Sequence, residues 1–171
     1  TSATGFFERM YSEYEKFWNK ERVSKAKEIG LSPLQVIILA SIVEEENYRT
    51  DEQARIAGVY MNRLKKGMLL QADPTIKFVL GDFSIKRLLY KDLEIDSPYN
   101  TYMYTGLPPG PIRIPERSAI NAVLNYEKHN FLYMCAKEDF SGYHNFAVSA
   151  RQHAINAKKY QHALNKLKIN R

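Results

Sequence analysis

Apolar residues recur every three or four positions in the first part of the chain, a spacing that predicts amphipathic helices. Phe6, Met10 and Tyr14 follow it, and one helix is expected from Phe6 to about Lys27, before Gly30. The segment that follows is apolar on nearly every side, as in a buried helix.

Capping patterns give the starts of the longer helices. Ser32, followed by a proline, predicts that the buried helix runs from Leu34 to about Glu46. Capping boxes predict two others: Thr50 with Gln53, and Ser149 with Gln152, the latter for a final helix to about Lys166. Shorter helical segments are expected after Asp73-Pro74, around Ser84–Leu89 and from Pro115 through Val123.

The second half of the chain has a different pattern. Residues Ile95 to Pro115 read as a shaped, proline-rich loop. Phe131–Ala136 and Tyr143–Val148 read as two strands of a hairpin. The predicted fold class is therefore α+β, mainly helical, with a small antiparallel sheet in the C-terminal half.

Composition is that of a folded globular domain, with 44% hydrophobic and 26% charged residues among 171. No apolar run approaches the roughly 20 residues that span a bilayer, and no signal peptide is recognised. The net charge of +6 fits either an anionic partner or a solvated surface. The single cysteine, Cys135, lies in an apolar run and is expected to be a buried small hydrophobe.

The main candidate for chemistry is Glu44-Glu45-Glu46 at the end of the buried helix. A helix C-terminus, like-charged neighbours and burial all raise a carboxyl pKa, as a general acid requires. Glu46 follows Val43 and Ile42 at helical spacing, so it lies on the most apolar stripe. The alternative is that all three carboxylates are solvated where the helix leaves the core.

Other reaction classes find little support. The four histidines have no metal-ligand spacing, and there is no P-loop, dinucleotide-binding glycine motif or nucleophile elbow. No metal or cofactor is therefore expected. Tyrosines interleaved with Asn, Gln and Thr suit a sugar-binding surface, although they fit ordinary structure equally well.

Several motifs in one order carry a resemblance to a known family. The most specific are Gln71-Ala72-Asp73-Pro74-Thr75, Tyr99-Asn100-Thr101-Tyr102 and Gly106-Leu107-Pro108-Pro109-Gly110-Pro111-Ile112. Ala40–Glu46, Ile56–Leu64 and Gly142–Phe146 accompany them. With these motifs the sequence resembles the endolytic murein transglycosylases, or YceG-like family, over about three quarters of its length.

The resemblance implies a catalytic domain at 31–171, preceded by the amphipathic helix at 1–30. It implies that Glu46 is the catalytic acid and that Glu44 supports it. The residues expected to bind substrate are Gln71, Asp73, Thr75, Tyr99, Asn100, Tyr102, His144 and Asn145, and His144 could equally be structural.

The implied reaction cleaves peptidoglycan between N-acetylmuramic acid and N-acetylglucosamine. Glu46 donates a proton to the glycosidic oxygen, the muramic 6-hydroxyl attacks the anomeric carbon, and Glu46 accepts its proton. The product is a 1,6-anhydromuramic end. One catalytic carboxylate is enough for this reaction because the nucleophile is intramolecular.

Two alternatives stay open. A hydrolytic muramidase of lysozyme type would use water and a second carboxylate, for which Asp73 is the candidate. A non-catalytic module would bind glycan or another anionic polymer; nucleic acid is not expected, because basic residues are not clustered with aromatic ones.

The resemblance also implies a setting. The expected partner is the peptidoglycan glycan strand, with peptidoglycan synthases (penicillin-binding proteins) nearby. In the family a membrane helix and a LysM-like module precede this domain. The expected location is thus the periplasmic, extracytoplasmic face of the inner membrane, with the anchor in a segment outside this chain.

Overall fold

The computed structural model describes residues 2–168; residue 1 and residues 169–171, the ends of the two predicted segments, lie outside the described part. The elements in chain order are α1 Ala3–Phe17, α2 Lys20–Glu28, α3 Pro33–Glu46, α4 Thr50–Lys65, α5 Asp73–Leu80, α6 Tyr90–Leu93, α7 Arg117–Leu124, β1 Tyr133–Ala136, β2 His144–Ala147 and α8 Ala150–Lys166. The strands β1 and β2 are antiparallel, with Ala136 opposite His144. The predicted α+β fold and its late hairpin are confirmed.

Helix α3 is the centre of the core, as its apolar sequence predicts. It packs against α4, α5 and α7, and Val36, Leu39, Ile42 and Val43 are fully buried. Full burial of such a side chain contributes roughly 1.5–3 kcal/mol. The last turn of α3 is therefore held in a fixed orientation, which positions the three glutamates.

The N-terminus of α3 is closed by the predicted cap. Ser32 Oγ accepts a hydrogen bond from the Gln35 N–H at 3.2 Å, and Gln35 Oε1 accepts one from the Ser32 N–H at 2.8 Å. This capping box satisfies two backbone donors at the start of the helix.

The prediction of one helix from Phe6 to Lys27 is wrong, because the chain breaks at Trp18–Asn19 between α1 and α2. The Asn19 side chain accepts a hydrogen bond from the Arg22 N–H at 3.0 Å and so begins a new helix. Trp18 is buried at the break. A local cap therefore starts a second helix where the apolar spacing that ends at Trp18 gave no sign of a break.

Both predicted capping boxes need correction. Helix α4 begins at Thr50, but no side chain caps it, and Gln53 Nε2 donates to the Asn47 carbonyl oxygen at 2.9 Å. At α8, Ser149 Oγ accepts from the Gln152 N–H at 3.3 Å as predicted, whereas the Gln152 side chain donates to a residue within the helix.

The helical segment predicted around Ser84–Leu89 is also displaced. Turns and bends occupy those positions, and the short helix α6 follows at Tyr90–Leu93. The carboxylate of Asp92 accepts a hydrogen bond from the Leu89 N–H at 2.9 Å, which sets the start of this helix after Leu89.

Within residues 2–168 no single helix is long and apolar enough to cross a bilayer. Helices α2 and α3 reach that length and apolar composition only together, and the pair is bent by 77°.

Candidate active site

The three glutamates in the last turn of α3 have three different environments. Glu44 is buried, accepts a hydrogen bond from the Glu116 N–H at 2.8 Å and lies 3.6 Å from Arg113 Nη2. Glu45 accepts a hydrogen bond from Arg113 Nη1 at 2.6 Å. Glu46 lines a cleft. Glu44 and Glu45 thus anchor the end of the proline-rich loop, and only Glu46 is left without an ion pair among the residues described.

The cleft has a volume of about 480 Å³. Its walls come from the end of α3, from α4 and α5, from both strands, from α8 and from the loops that precede α5, α6 and α7. The polar and charged side chains that line it are Glu45, Glu46, Tyr60, Arg63, Gln71, Asp73, Lys77, Lys86, Tyr102, Cys135, His144, His153, Tyr160 and Gln161.

Burial raises the pKa of Glu46 from 4.5 to about 7, and the nearby negative charge of Asp73 adds to this effect. The Tyr60 hydroxyl donates a hydrogen bond to Glu46 Oε1 and, with His144 and Lys77, opposes the rise. A carboxyl group with a pKa near 7 can both give and take a proton at neutral pH. The direction agrees with the sequence argument, but the main like-charged neighbour is Asp73, not the adjacent glutamates.

Asp73 is the second carboxyl group of the cleft. The Tyr102 hydroxyl donates a hydrogen bond to Asp73 Oδ1. Although Asp73 keeps an open surface toward the cleft, the surrounding walls desolvate the carboxyl group and raise its pKa. Burial and the Asp73 charge also raise the pKa of Tyr102, so this hydroxyl keeps its proton.

His144 enters the cleft from β2 and is held from behind by Glu52 of α4. His144 Nδ1 lies 2.8 Å from Glu52 Oε2, and the His144 backbone N–H donates to Glu52 Oε1 at 3.0 Å. Asn47 Nδ2 donates to Glu52 Oε2 at 2.6 Å. Burial opposes ionisation of Glu52, but the hydrogen bonds with His144 outweigh it and lower the Glu52 pKa. With Nδ1 engaged, the imidazole has Nε2 left for a ligand.

Arg63 organises the wall on the α4 side. Its Nε donates to the Leu132 carbonyl oxygen at 2.6 Å and its Nη1 to that of Leu70 at 2.9 Å. The same Nη1 lies 3.2 Å from Gln71 Oε1. Gln71 has a φ of 51°, the left-handed region that non-glycine residues seldom adopt. Arg63 and the fold around it therefore hold Gln71 in a conformation that turns its side chain to the cleft.

Five of the predicted site residues line the cleft: Glu46, Gln71, Asp73, Tyr102 and His144. The other five do not.

Glu44 anchors a loop, as described above, and Thr75 is buried with Oγ1 donating to the Ala72 carbonyl oxygen at 2.7 Å. Asn100 is fully buried, and its Nδ2 donates to the carbonyl oxygens of Leu93 at 2.9 Å and Ile95 at 2.7 Å. These polar side chains fix the backbone of segments in which neighbouring residues line the cleft.

The remaining two predicted residues are also outside the cleft lining. Tyr99 packs its ring on Phe78 with 4.8 Å between centroids. Asn145 donates from Nδ2 to Glu138 Oε2 at 3.1 Å on an exposed part of the hairpin. Their contact with a substrate stays a prediction.

Sequence reasoning missed several residues of the site, above all Tyr60, Glu52 and Lys77. Helical spacing carried a signal for two of them. Lys77 follows Asp73 by four residues on α5, so both lie on one face. Tyr60 and Arg63 are three apart on α4 and share the face toward the cleft. Glu52 had no such signal, since its partner is 92 residues away.

Among residues 2–168 no group of three or more His, Cys, Asp and Glu side chains is arranged to hold a metal ion.

The fold and the cleft together define a class: a mainly helical α+β domain with a cleft that contains two carboxyl groups of raised pKa. The sequence model of the YceG-like family matches residues 1–159. The chain belongs to this family.

Curated relatives and a solved structure agree with that membership. The chain is 42% identical over 137 residues to the endolytic murein transglycosylase of Bacillus subtilis. This alignment covers 80% of the chain and 37% of the relative. It is 37% identical over 117 residues to the protein of that name from Streptococcus pneumoniae serotype 2, covering 66% of this chain and 21% of the relative. The chain thus spans well under half the length of either relative.

A crystal structure of a YceG-like protein from Listeria monocytogenes aligns with a TM-score of 0.71 at 38% identity. The alignment covers 77% of this chain and 42% of that one. The fold described above is therefore that of a solved family member.

Proposed function

We propose that this domain is a lytic transglycosylase that cleaves peptidoglycan glycan strands internally, with Glu46 as general acid and then general base. The observation that carries the proposal is the placement of Glu46: its carboxyl group lines the cleft, and burial raises its pKa to about 7. The names of the curated relatives support the same activity.

In the proposed first step, neutral Glu46 donates its proton to the glycosidic oxygen between N-acetylmuramic acid and N-acetylglucosamine. The bond from that oxygen to the muramic anomeric carbon breaks, and positive charge develops on the sugar ring. The glucosamine chain leaves with a free hydroxyl group. Glu46 is left ionised, and the hydrogen bond from Tyr60 stabilises its negative charge.

In the second step the muramic 6-hydroxyl attacks the anomeric carbon, and ionised Glu46 takes the hydroxyl proton. The product is a 1,6-anhydromuramic end, and the acid is regenerated without water. Because the hydroxyl group belongs to the same sugar, a high effective concentration replaces a second catalytic carboxylate. Tyr102 and His144 are proposed to hydrogen-bond the sugar, with Gln71, on the walls around Glu46.

One observation favours a second candidate, hydrolysis by a muramidase mechanism. Asp73 lines the same cleft and is close enough to Glu46 to raise its pKa. A hydrolase needs such a second carboxylate to activate water or stabilise the sugar cation. The Tyr102 hydroxyl already engages Asp73 Oδ1, and the curated relatives are named transglycosylases, so transglycosylation is preferred.

The test is digestion of purified sacculi followed by mass spectrometry of the released fragments. Anhydromuramic ends are expected from the unaltered protein, and reducing muramic ends would establish the hydrolase. Glu46→Gln is expected to abolish release. Glu45→Gln is the matched control, because that carboxylate belongs to the same helical turn but pairs with Arg113, and it is expected to keep measurable turnover.

Full activity of Glu46→Gln would refute the assignment of the acid. Tight binding to glycan without any release by the unaltered protein would instead favour a non-catalytic module.

Peptidoglycan lies outside the cytoplasmic membrane, so we propose that the domain acts on the extracytoplasmic side. Attachment to the inner membrane and contact with peptidoglycan synthases remain predictions from the family resemblance.

A further inference from the structure

Two lysines in the cleft form no direct ion pair with any residue in the described range. Lys77 on α5 and Lys86 in the loop before α6 both line the cleft. Neither forms an ion pair or a side-chain hydrogen bond with any residue from 2 to 168. Lys77 is close enough to Glu46 and Asp73 for its charge to lower the pKa of both.

The other charges of the cleft do not neutralise these lysines. Arg63 is bound by backbone carbonyl oxygens and an amide oxygen, all uncharged acceptors, so its own charge adds to theirs. Glu45 is paired with Arg113. Glu46, with a pKa of about 7, is only partly ionised at neutral pH, so with Asp73 it carries fewer than two negative charges against three cations. The resting cleft therefore has an excess of positive charge.

A neutral glycan gains little from such a cleft, whereas an anionic group of the substrate gains electrostatic attraction. In peptidoglycan the stem peptide is joined through a lactyl ether to C3 of muramic acid, two ring carbons from the anomeric carbon that reacts. A cation near Glu46 is therefore near the start of that peptide. The peptide carries free carboxylates, which pair with ammonium groups.

We propose that Lys77 and Lys86 form a subsite for a carboxylate of the stem peptide, so that the enzyme selects strands whose peptides carry free carboxylates. This inference rests on the proposed function. It deepens that function by assigning a substrate class: charged, peptide-bearing strands, in preference to amidated or peptide-free ones.

The experiment compares three substrates made from one glycan preparation. The first has free peptide carboxylates, the second has them amidated, and the third has lost its peptides to an amidase, which leaves a free lactyl carboxylate. The readout is the ratio of kcat/KM values for the first two substrates, measured at low ionic strength. Each ratio compares two substrates of the same protein variant. A change that a substitution causes in Glu46 affects both kcat/KM values equally and therefore cancels in the ratio.

The unaltered protein is expected to prefer the free-carboxylate strands by about 5-fold to 10-fold, and added salt should reduce the preference. The double variant Lys77→Gln/Lys86→Gln is expected to bring the ratio close to one, and Lys77→Arg/Lys86→Arg should retain it. Lys91→Gln, an exposed lysine outside the cleft lining, is the matched control and should leave the ratio unchanged.

A ratio that stays the same in the glutamine double variant would overturn the proposal. So would a preference of the unaltered protein for the peptide-free strands, because the lactyl carboxylate would then be the anion bound. Loss of cleavage of all three substrates by the unaltered protein is a different result: it would refute the proposed function.

Discussion

Replacing Glu46 with glutamine is predicted to stabilise the fold at neutral pH while it removes activity. Glutamine has nearly the same shape, cannot ionise and keeps an oxygen for the Tyr60 hydroxyl. The carboxyl group of Glu46 has a pKa of about 7 in the fold against 4.5 when unperturbed. The difference corresponds to roughly 3 kcal/mol, at about 1.4 kcal/mol per pH unit.

The sign follows from which state binds the proton. Below pH 4.5 the carboxyl group is neutral in both the folded and the unfolded chain, so it adds no pH dependence. From pH 4.5 to about 7 the unfolded chain ionises while the folded protein keeps its proton, and the folded state loses stability as pH rises. Above this range the loss is complete. Glutamine has no such titration.

The measurement is urea unfolding of the unaltered protein and of Glu46→Gln at about pH 4, 6 and 8, which lie below, within and above the range between these two pKa values. The advantage of the variant is expected to grow from near zero to roughly 3 kcal/mol. Glu45→Gln is the control and should show no growing advantage, since it loses an ion pair with Arg113. A difference between Glu46→Gln and the unaltered protein that is constant across pH would refute the reasoning.

Three further predictions concern the neighbours of Glu46 and the core. Tyr60→Phe removes a hydrogen bond that lowers the Glu46 pKa, so the alkaline limb of the kcat/KM profile should move up by roughly one pH unit; an unchanged limb would contradict this. Glu52→Gln should lower kcat/KM about tenfold, equivalent to about 1.4 kcal/mol, because His144 loses its charged partner, and an unaltered circular dichroism spectrum is the control for folding. Gly58→Ala should destabilise the fold by about 1–3 kcal/mol in urea unfolding, because its Cβ would lie 2.4 Å from a backbone carbonyl oxygen; a stability equal to the parent's would show that this contact relaxes freely.

The amino-acid sequence was sufficient for the parts of the fold that depend on local pattern. The apolar run of α3 and the Ser32 cap predict the buried helix and its start. The alternation and spacing of Phe131–Ala136 and Tyr143–Val148 predict the hairpin. The break at Asn19 escaped prediction because the charged residues that follow Trp18 fit the exposed end of one long helix as well as a second helix, and only the capping side chain of Asn19 distinguishes the two.

The candidate site was predictable where helical phase sufficed and not where distant segments meet. Helical phase favours Glu46 among the three glutamates but does not exclude the other two. What removes Glu45 from consideration is Arg113, 68 residues along the chain. Likewise the motif around Asn100 predicts a polar segment near the site, but only the fold reveals that Asn100 holds loop carbonyl groups while Tyr102, two residues on, reaches the cleft.

The final turn of α3 anchors a loop through Glu44 and places Glu46 in the cleft, and this limits how the gene can change. Each residue along an α-helix turns by about 100° relative to the one before. One codon inserted or lost within α3 would rotate the loop anchor at Glu44 and the cleft acid at Glu46 out of register together. A point substitution in this helix can be compensated by a second substitution at a contacting residue, whereas a single such substitution cannot compensate for a change in helix length. The length of α3 should therefore be held constant during divergence more strictly than its composition.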